Sequence, residues 1–113
     1  MNEIQLTAKI KKMIQAEFLG VYVIRFSDKF ISGISDLGII CYGQFGALEV
    51  KMPGKKRKDG RYGASPIQDK FLEYVERAGG TVGVVDSLEA ARLWMHKFYK
   101  VAKHRHDVFN VPN

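Results

Sequence analysis

Asp36-Leu37-Gly38-Ile39-Ile40-Cys41-Tyr42-Gly43-Gln44-Phe45-Gly46-Ala47-Leu48-Glu49-Val50-Lys51 reads as one β-hairpin, and the other elements of the chain arrange themselves around it. Leu37 to Cys41 has the composition of a strand. Gly43-Gln44-Phe45-Gly46 is expected to turn the chain, because its glycines tolerate positive φ, and Ala47 to Lys51 forms the return strand. The hairpin brings Asp36 at its entrance close to Glu49 at its exit. Strand side chains alternate, so Glu49 and Lys51 share one face while Leu48 and Val50 point to the other.

That convergence has a chemical meaning. Two carboxylates held together repel, and a hard divalent cation such as Mg²⁺ relieves the repulsion while keeping several of its waters. Such an ion makes water a nucleophile at neutral pH, and an adjacent ammonium such as Lys51 can orient that water or stabilise charge developing on a phosphate. A glutamate and a lysine two positions apart on a strand face also occur as a solvated ion pair worth under ~1 kcal/mol, so this pair alone does not define a site.

A chain of 113 residues that is 46% hydrophobic and 12% aromatic is expected to form a single domain, 1–113, with a core that needs no disulfide staples. No apolar run is long enough to span a membrane, and Met1 to Gln5 lacks the blocks of a secretory signal, so a cytoplasmic protein is expected. The single Cys41 lies in an apolar strand and reads as a buried small hydrophobe. A net charge of +6 and a pI near 9.5 point to a polyanionic partner. The charge is concentrated: Lys55, Lys56, Arg57, Lys58 and Arg61 crowd a loop from 54 to 63, with Tyr62 beside them as a stacking candidate. Its position just after Lys51 makes this loop a candidate phosphate-backbone contact, although charge runs often serve only solubility.

Outward from the hairpin, Leu6, Ile10, Met13, Ile14 and Phe18 predict a helix from Glu3 to Leu19, stopped by Gly20. Val21 to Phe26 predicts a first strand, and Ser27 to Ser35 a connection. Ser65-Pro66-Ile67-Gln68 carries an N-cap serine, a proline at the first helical position and a glutamine three after the cap, so a helix runs to about Ala78. Thr81 to Val85 predicts a fourth strand. Asp86 or Ser87 caps a last helix whose Leu88, Ala91, Leu93, Trp94, Met95 and Phe98 bury against the sheet or a partner. The residues from 103 to 113, with His104 and His106 among cations, read as a basic tail; two histidines without a third ligand make a poor zinc site. Trp94, Tyr99 and Tyr74 at helical positions read as core or interface. The phosphate-binding loop, the hydrolase elbow and paired C-x-x-C motifs are all missing, which argues against an NTPase, a serine hydrolase and a zinc finger.

In this order, helix, three strands, helix, strand, helix, the chain resembles the virus-type replication-repair nuclease domain, a branch of the PD-(D/E)xK nuclease superfamily. The matching residues are Asn2-Glu3-Ile4-Gln5, Gly33-Ile34-Ser35-Asp36, Leu48-Glu49-Val50-Lys51, Ser65-Pro66-Ile67-Gln68 and Ala78-Gly79-Gly80-Thr81-Val82 leading into Asp86-Ser87-Leu88-Glu89-Ala90. Ser35 stands where the motif that names the superfamily has proline, and serine can adopt the same extended backbone. The resemblance implies a restriction-endonuclease-like α/β core with a mixed four-stranded sheet flanked by helices. It implies metal ligation by Asp36, Glu49 and the carbonyl of Val50, a catalytic Lys51, a helix acid at Glu3 and a helix glutamine at Gln68. Glu17 lies on the same stripe as Glu3 and competes for the acid role, Glu3 also suits a helix N-terminus, and Gln68 also completes the cap with Ser65. Stand-alone relatives resemble Holliday-junction resolvases of bacterial viruses. The implied activity is Mg²⁺- or Mn²⁺-dependent hydrolysis of branched DNA by a homodimer, with no organic cofactor; the competing expectation is a nucleic-acid-binding module with a vestigial or partner-regulated site.

Overall fold

A computed structural model describes residues 1–26, 35–54 and 61–109. Seven elements follow one another: α1 (Glu3–Glu17), β1 (Tyr22–Arg25), β2 (Leu37–Cys41), β3 (Gln44–Val50), α2 (Pro66–Arg77), β4 (Thr81–Val85) and α3 (Leu88–Phe109). They build an α/β fold with three helices and a mixed four-stranded sheet in the expected order. The strands lie in the sequence β1-β2-β3-β4; the first two pairings are antiparallel, and β4 joins β3 in parallel after crossing over through α2.

The sheet is a middle layer. Leu37, Ile39, Cys41, Leu48 and Val50 face α1 and α3, where Leu6, Ile10, Met13, Ile14 and Phe18 of α1 and Ala91, Met95, Phe98 and Ala102 of α3 complete the main core. On the opposite face Ala47 packs with Leu72 of α2, surrounded by Phe45, Phe71, Val75, Val82 and Val84. Because β3 is covered on both faces, its last five residues are all buried, and this places the glutamate at position 49 inside the molecule.

Several expectations shift in detail. The hairpin turns at Tyr42-Gly43, with φ of 51° and 74°, so of the turn expected at 43–46 only Gly43 turns the chain, and Gln44 to Gly46 begin β3. Positive φ at both central residues matches the twist of the flanking strands. Gly46 serves packing, because a Cβ there would sit 2.8 Å from Phe98 and 2.9 Å from Trp94. α1 ends at Glu17, two residues before Leu19, with Phe18 as its C-cap. On α3 Ser87 is the cap, its hydroxyl accepting from the Ala90 N–H at 3.0 Å. The expected apolar face of α3 is spent on its own sheet, and Leu93 is 59% exposed. The basic residues from Lys103 to His106 belong to the last turns of α3, which continues to Phe109, so the tail is helical that far. Among the described residues no helix is long and apolar enough to cross a membrane.

Candidate active site

One end of the sheet gathers the candidate residues. Asp36 occupies the bend before β2, Glu49 is the penultimate residue of β3, Lys51 follows β3, and Glu3 is the first residue of α1. Glu3 is held there by local chemistry. The Asn2 side chain accepts from the Gln5 N–H at 2.9 Å, and the Gln5 side chain accepts from the Asn2 N–H at 2.9 Å, a reciprocal cap that fixes where α1 begins.

Asp36 is fixed from the strand side. Its Oδ2 accepts from the Val50 N–H at 2.7 Å, and its carbonyl accepts from the Phe26 N–H at 2.9 Å. Ser35 is fully buried, and its hydroxyl donates to the Leu37 carbonyl at 3.1 Å, so a side-chain bond pins the bend where a proline would restrict φ. Val50 thus enters the site through its N–H; that bond does not involve the carbonyl the resemblance assigns to metal binding.

Carboxylate oxygens of Glu3, Asp36 and Glu49 lie within 4.8 Å of one another. Oxygens on opposite sides of a single Mg²⁺ are ~4.2 Å apart. Glu49 is only 1% exposed; its Oε1 is 3.7 Å from the Lys51 ammonium, and its Oε2 is buried with no hydrogen-bond partner. Burial pushes the Glu49 carboxyl up to about 9, hydrogen bonding to Asp36 and the charges of Asp36 and Glu3 add to the shift, and Lys51 opposes it. A buried carboxylate with an open lone pair is costly unless a proton or a cation neutralises it. The donors are all oxygens, a set that suits Mg²⁺ or Mn²⁺ and not a soft metal.

Glu17, the competitor of Glu3, is engaged elsewhere: its carboxylate accepts two bonds of 2.9 Å from the Arg92 guanidinium on α3, an interaction that lowers its pKa. The Gln68 side chain completes the α2 cap, with Oε1 accepting from the Ser65 hydroxyl at 2.9 Å, and its side-chain hydrogen bonds among the described residues are all with Ser65. Arg61 pairs with Glu76 at 3.1 Å and lies 5.0 Å from the Tyr62 ring centroid, while the Tyr62 hydroxyl donates to the same carboxylate at 3.0 Å. Lys55, Lys56, Arg57 and Lys58 lie outside the described residues, as do Gly33 and Ile34.

Sequence reasoning missed Asp69, which is 9% exposed with a buried Oδ1 lacking a partner. Its spacing of three from the buried Leu72 could have put it on the inward stripe of α2. The first helical turn gives it a favourable dipole. The Asn2-x-x-Gln5 cap was also there to be read. No protein-family model matches the chain, and no match was found among curated proteins or among solved structures.

Proposed function

We propose that this chain is a Mg²⁺- or Mn²⁺-dependent DNA endonuclease acting on branched DNA such as four-way junctions. The observation that carries the reading is Glu49: a buried carboxylate with an unsatisfied oxygen, beside two further carboxylates and one ammonium, at the end of the central strand. Glu49 and Asp36, with Glu3 beside them, would hold the cation. Bound there, a divalent ion supplies the positive charge that acidifies water and offsets charge building on the phosphate.

The residues do the rest. The Val50 N–H keeps Asp36 from rotating away, so Asp36 would hold a cation without reorganising. The Lys51 ammonium is held by Glu49 and partly exposed, so it can donate to the attacking water or to a non-bridging phosphate oxygen. Hydrolysis forms one P–O bond to the water oxygen and breaks the bond to the departing sugar oxygen; the water gives up a proton and the sugar oxygen gains one. Lys51 contributes where negative charge accumulates, which is the contact that counts toward rate.

A second reading has support in the same residues. The Val50 N–H bond to Asp36 and a protonated Glu49 would leave the cluster largely neutralised without a cation, as a purely structural group in a nucleic-acid-binding module would require. Incubating the protein with junction, flap, duplex and single-stranded DNA, with and without Mg²⁺, separates the two. Metal-dependent cleavage that prefers the junction supports the nuclease; binding without cleavage in any divalent metal supports the module. Paired cuts in a symmetric junction call for two copies of the site, so the proposal includes a homodimer, checked by sedimentation.

A further inference from the structure

A second surface carries a charge pattern that the hairpin does not explain. Ala8, Lys9, Lys11, Lys12 and Gln15 of α1, with Arg25 at the end of β1, line an open groove of ≈ 370 Å³. Four of its six walls are cationic, and none is acidic. On a helix, residues three and four apart are neighbours, and apart from Lys9 and Lys12, which neighbour each other, those of Lys9, Lys11 and Lys12 are Gln5, Leu6, Thr7, Ala8, Met13, Ile14, Gln15 and Ala16. None carries a carboxylate, so the helix does not neutralise its own lysines. No ion pair joins these three lysines or Arg25 to an acid among the described residues. The acids of α1 are committed at its two ends, Glu3 to the carboxylate cluster and Glu17 to Arg92.

The groove also has a direction. One Arg25 nitrogen donates to the Ile4 carbonyl at 3.3 Å, which ties the guanidinium to the helical turn that carries Glu3. Arg25 pairs with Leu37, the residue after Asp36. The groove therefore runs along α1 from Ala8 to Gln15, C-terminal to the helical turn that carries Glu3. Twelve helical steps from Glu3 to Gln15 cover ~18 Å at ~1.5 Å each. That is about five base-pair steps at ~3.4 Å per step. Ala8, with its minimal side chain, leaves the middle of this track open, and Gln15 adds a neutral donor at the far end.

From this we infer that the α1 groove is a second phosphate-backbone site, which holds a duplex DNA arm leading away from the bond to be cut. The inference rests on the DNA reading of the carboxylate cluster, and it assigns binding to residues that the basic 54–63 loop does not include. Lys9, Lys11, Lys12 and Arg25 act through charge and contact no base edge, so the site takes duplex of any sequence.

The test is binding without divalent metal, so that cleavage plays no part. Lys9→Gln, Lys11→Gln and Lys12→Gln together keep chain length and helix propensity while removing three charges. A control with Lys70→Gln, Lys97→Gln and Lys100→Gln, exposed positions on α2 and α3, lowers net charge equally. Affinity for duplex and for junction arms is measured against salt. The expected result is that the α1 variant loses affinity and its log–log salt slope shrinks by up to ~2.7, at ~0.9 per contact, while the control moves much less. Shortening the arms below about five base pairs should weaken wild type and leave the α1 variant indifferent. Equal losses in both variants, or an unchanged slope in the α1 variant, would overturn the groove. A shifted slope in a protein that never cleaves DNA would keep the groove and remove the nuclease reading.

Discussion

Glu49 sets the energetics at the level of single residues. Its carboxyl is raised to about 9 from an ordinary value of 4.5, so in the metal-free fold it stays protonated at pH 7 while an unfolded chain would ionise it. The folded state then binds the extra proton, and its stability falls as pH rises from about 4.5 toward about 9. At ~1.36 kcal/mol per pH unit, the cost at pH 7 is about 3 kcal/mol. Glu49→Gln mimics the protonated acid. The metal-free variant should be more stable than wild type by up to about 3 kcal/mol at pH 7 and should show no advantage near pH 4.5, as read from urea unfolding at both pH values. A constant difference across that range would mean that Glu49 does not titrate as its surroundings require. On the proposed nuclease reading, Lys51→Ala should abolish cleavage and leave DNA binding within a few-fold, since many phosphate contacts would remain while the charge at the reacting oxygen would be lost. Near-normal turnover by that variant would remove Lys51 from the mechanism. Both residues were legible from their spacing, although β3 ends at Val50 and Lys51 follows the strand instead of closing it as expected. The Val50 N–H to Asp36 bond was not, because proximity across the hairpin does not say which backbone group a side chain accepts from. The orphaned Asp69 escaped notice because a single acid in a first helical turn usually serves the dipole.

Element boundaries were legible where a local signal set them and shifted where packing did. Leu37–Cys41 and Thr81–Val85 are strands with the expected ends, and the Ser65 cap and Pro66 start α2 as read. The hairpin turn moved by two residues because Gly46 resembles a turn glycine but is required by two aromatic rings of α3, a long-range contact that no local pattern announces. Gly46→Ala should therefore destabilise the fold by about 1–3 kcal/mol through overpacking against Phe98 and Trp94. Chemical denaturation measures this, and a loss below ~0.5 kcal/mol would show that the rings yield freely. The α2 cap gives a second comparison. Ser65→Ala should cost about 1 kcal/mol, as loss of an N-cap does, and Gln68→Ala should add little further because the two side chains form one reciprocal pair. Fully additive losses in the double variant would argue that Gln68 has an independent role.

Across the whole molecule, one end of the sheet collects the start of β2, the ends of β1, β3 and β4, and the first turn of α1. The topology explains this: two antiparallel pairings followed by a parallel one bring Asp36, Arg25 and Glu49 to the same rim, and packing of α1 on β1 and β3 delivers Glu3 there. The element order and the hairpin made most of that arrangement readable in advance. The choice of Glu3 over Glu17 was not, because it depends on Arg92, which lies far along the chain and takes Glu17 out of contention. A cation that binds only the folded cluster must stabilise it by mass action, about 2.7 kcal/mol at a hundredfold excess over Kd. Mg²⁺ or Mn²⁺ should raise the melting temperature of the wild type by several degrees and leave Asp36→Asn and Glu49→Gln nearly unmoved.

Single-turnover cleavage of a labelled four-way junction decides whether Asp36, Glu49 and Lys51 form the metal-dependent nuclease site proposed above. Wild type, Asp36→Asn and Glu49→Gln are compared in Mg²⁺ and in excess chelator, with each variant confirmed to be folded by circular dichroism. The expected result is cleavage by wild type in Mg²⁺ alone, with both variants inactive yet still binding the junction. Cleavage that persists in chelator, or a wild-type rate from either folded variant, would contradict it.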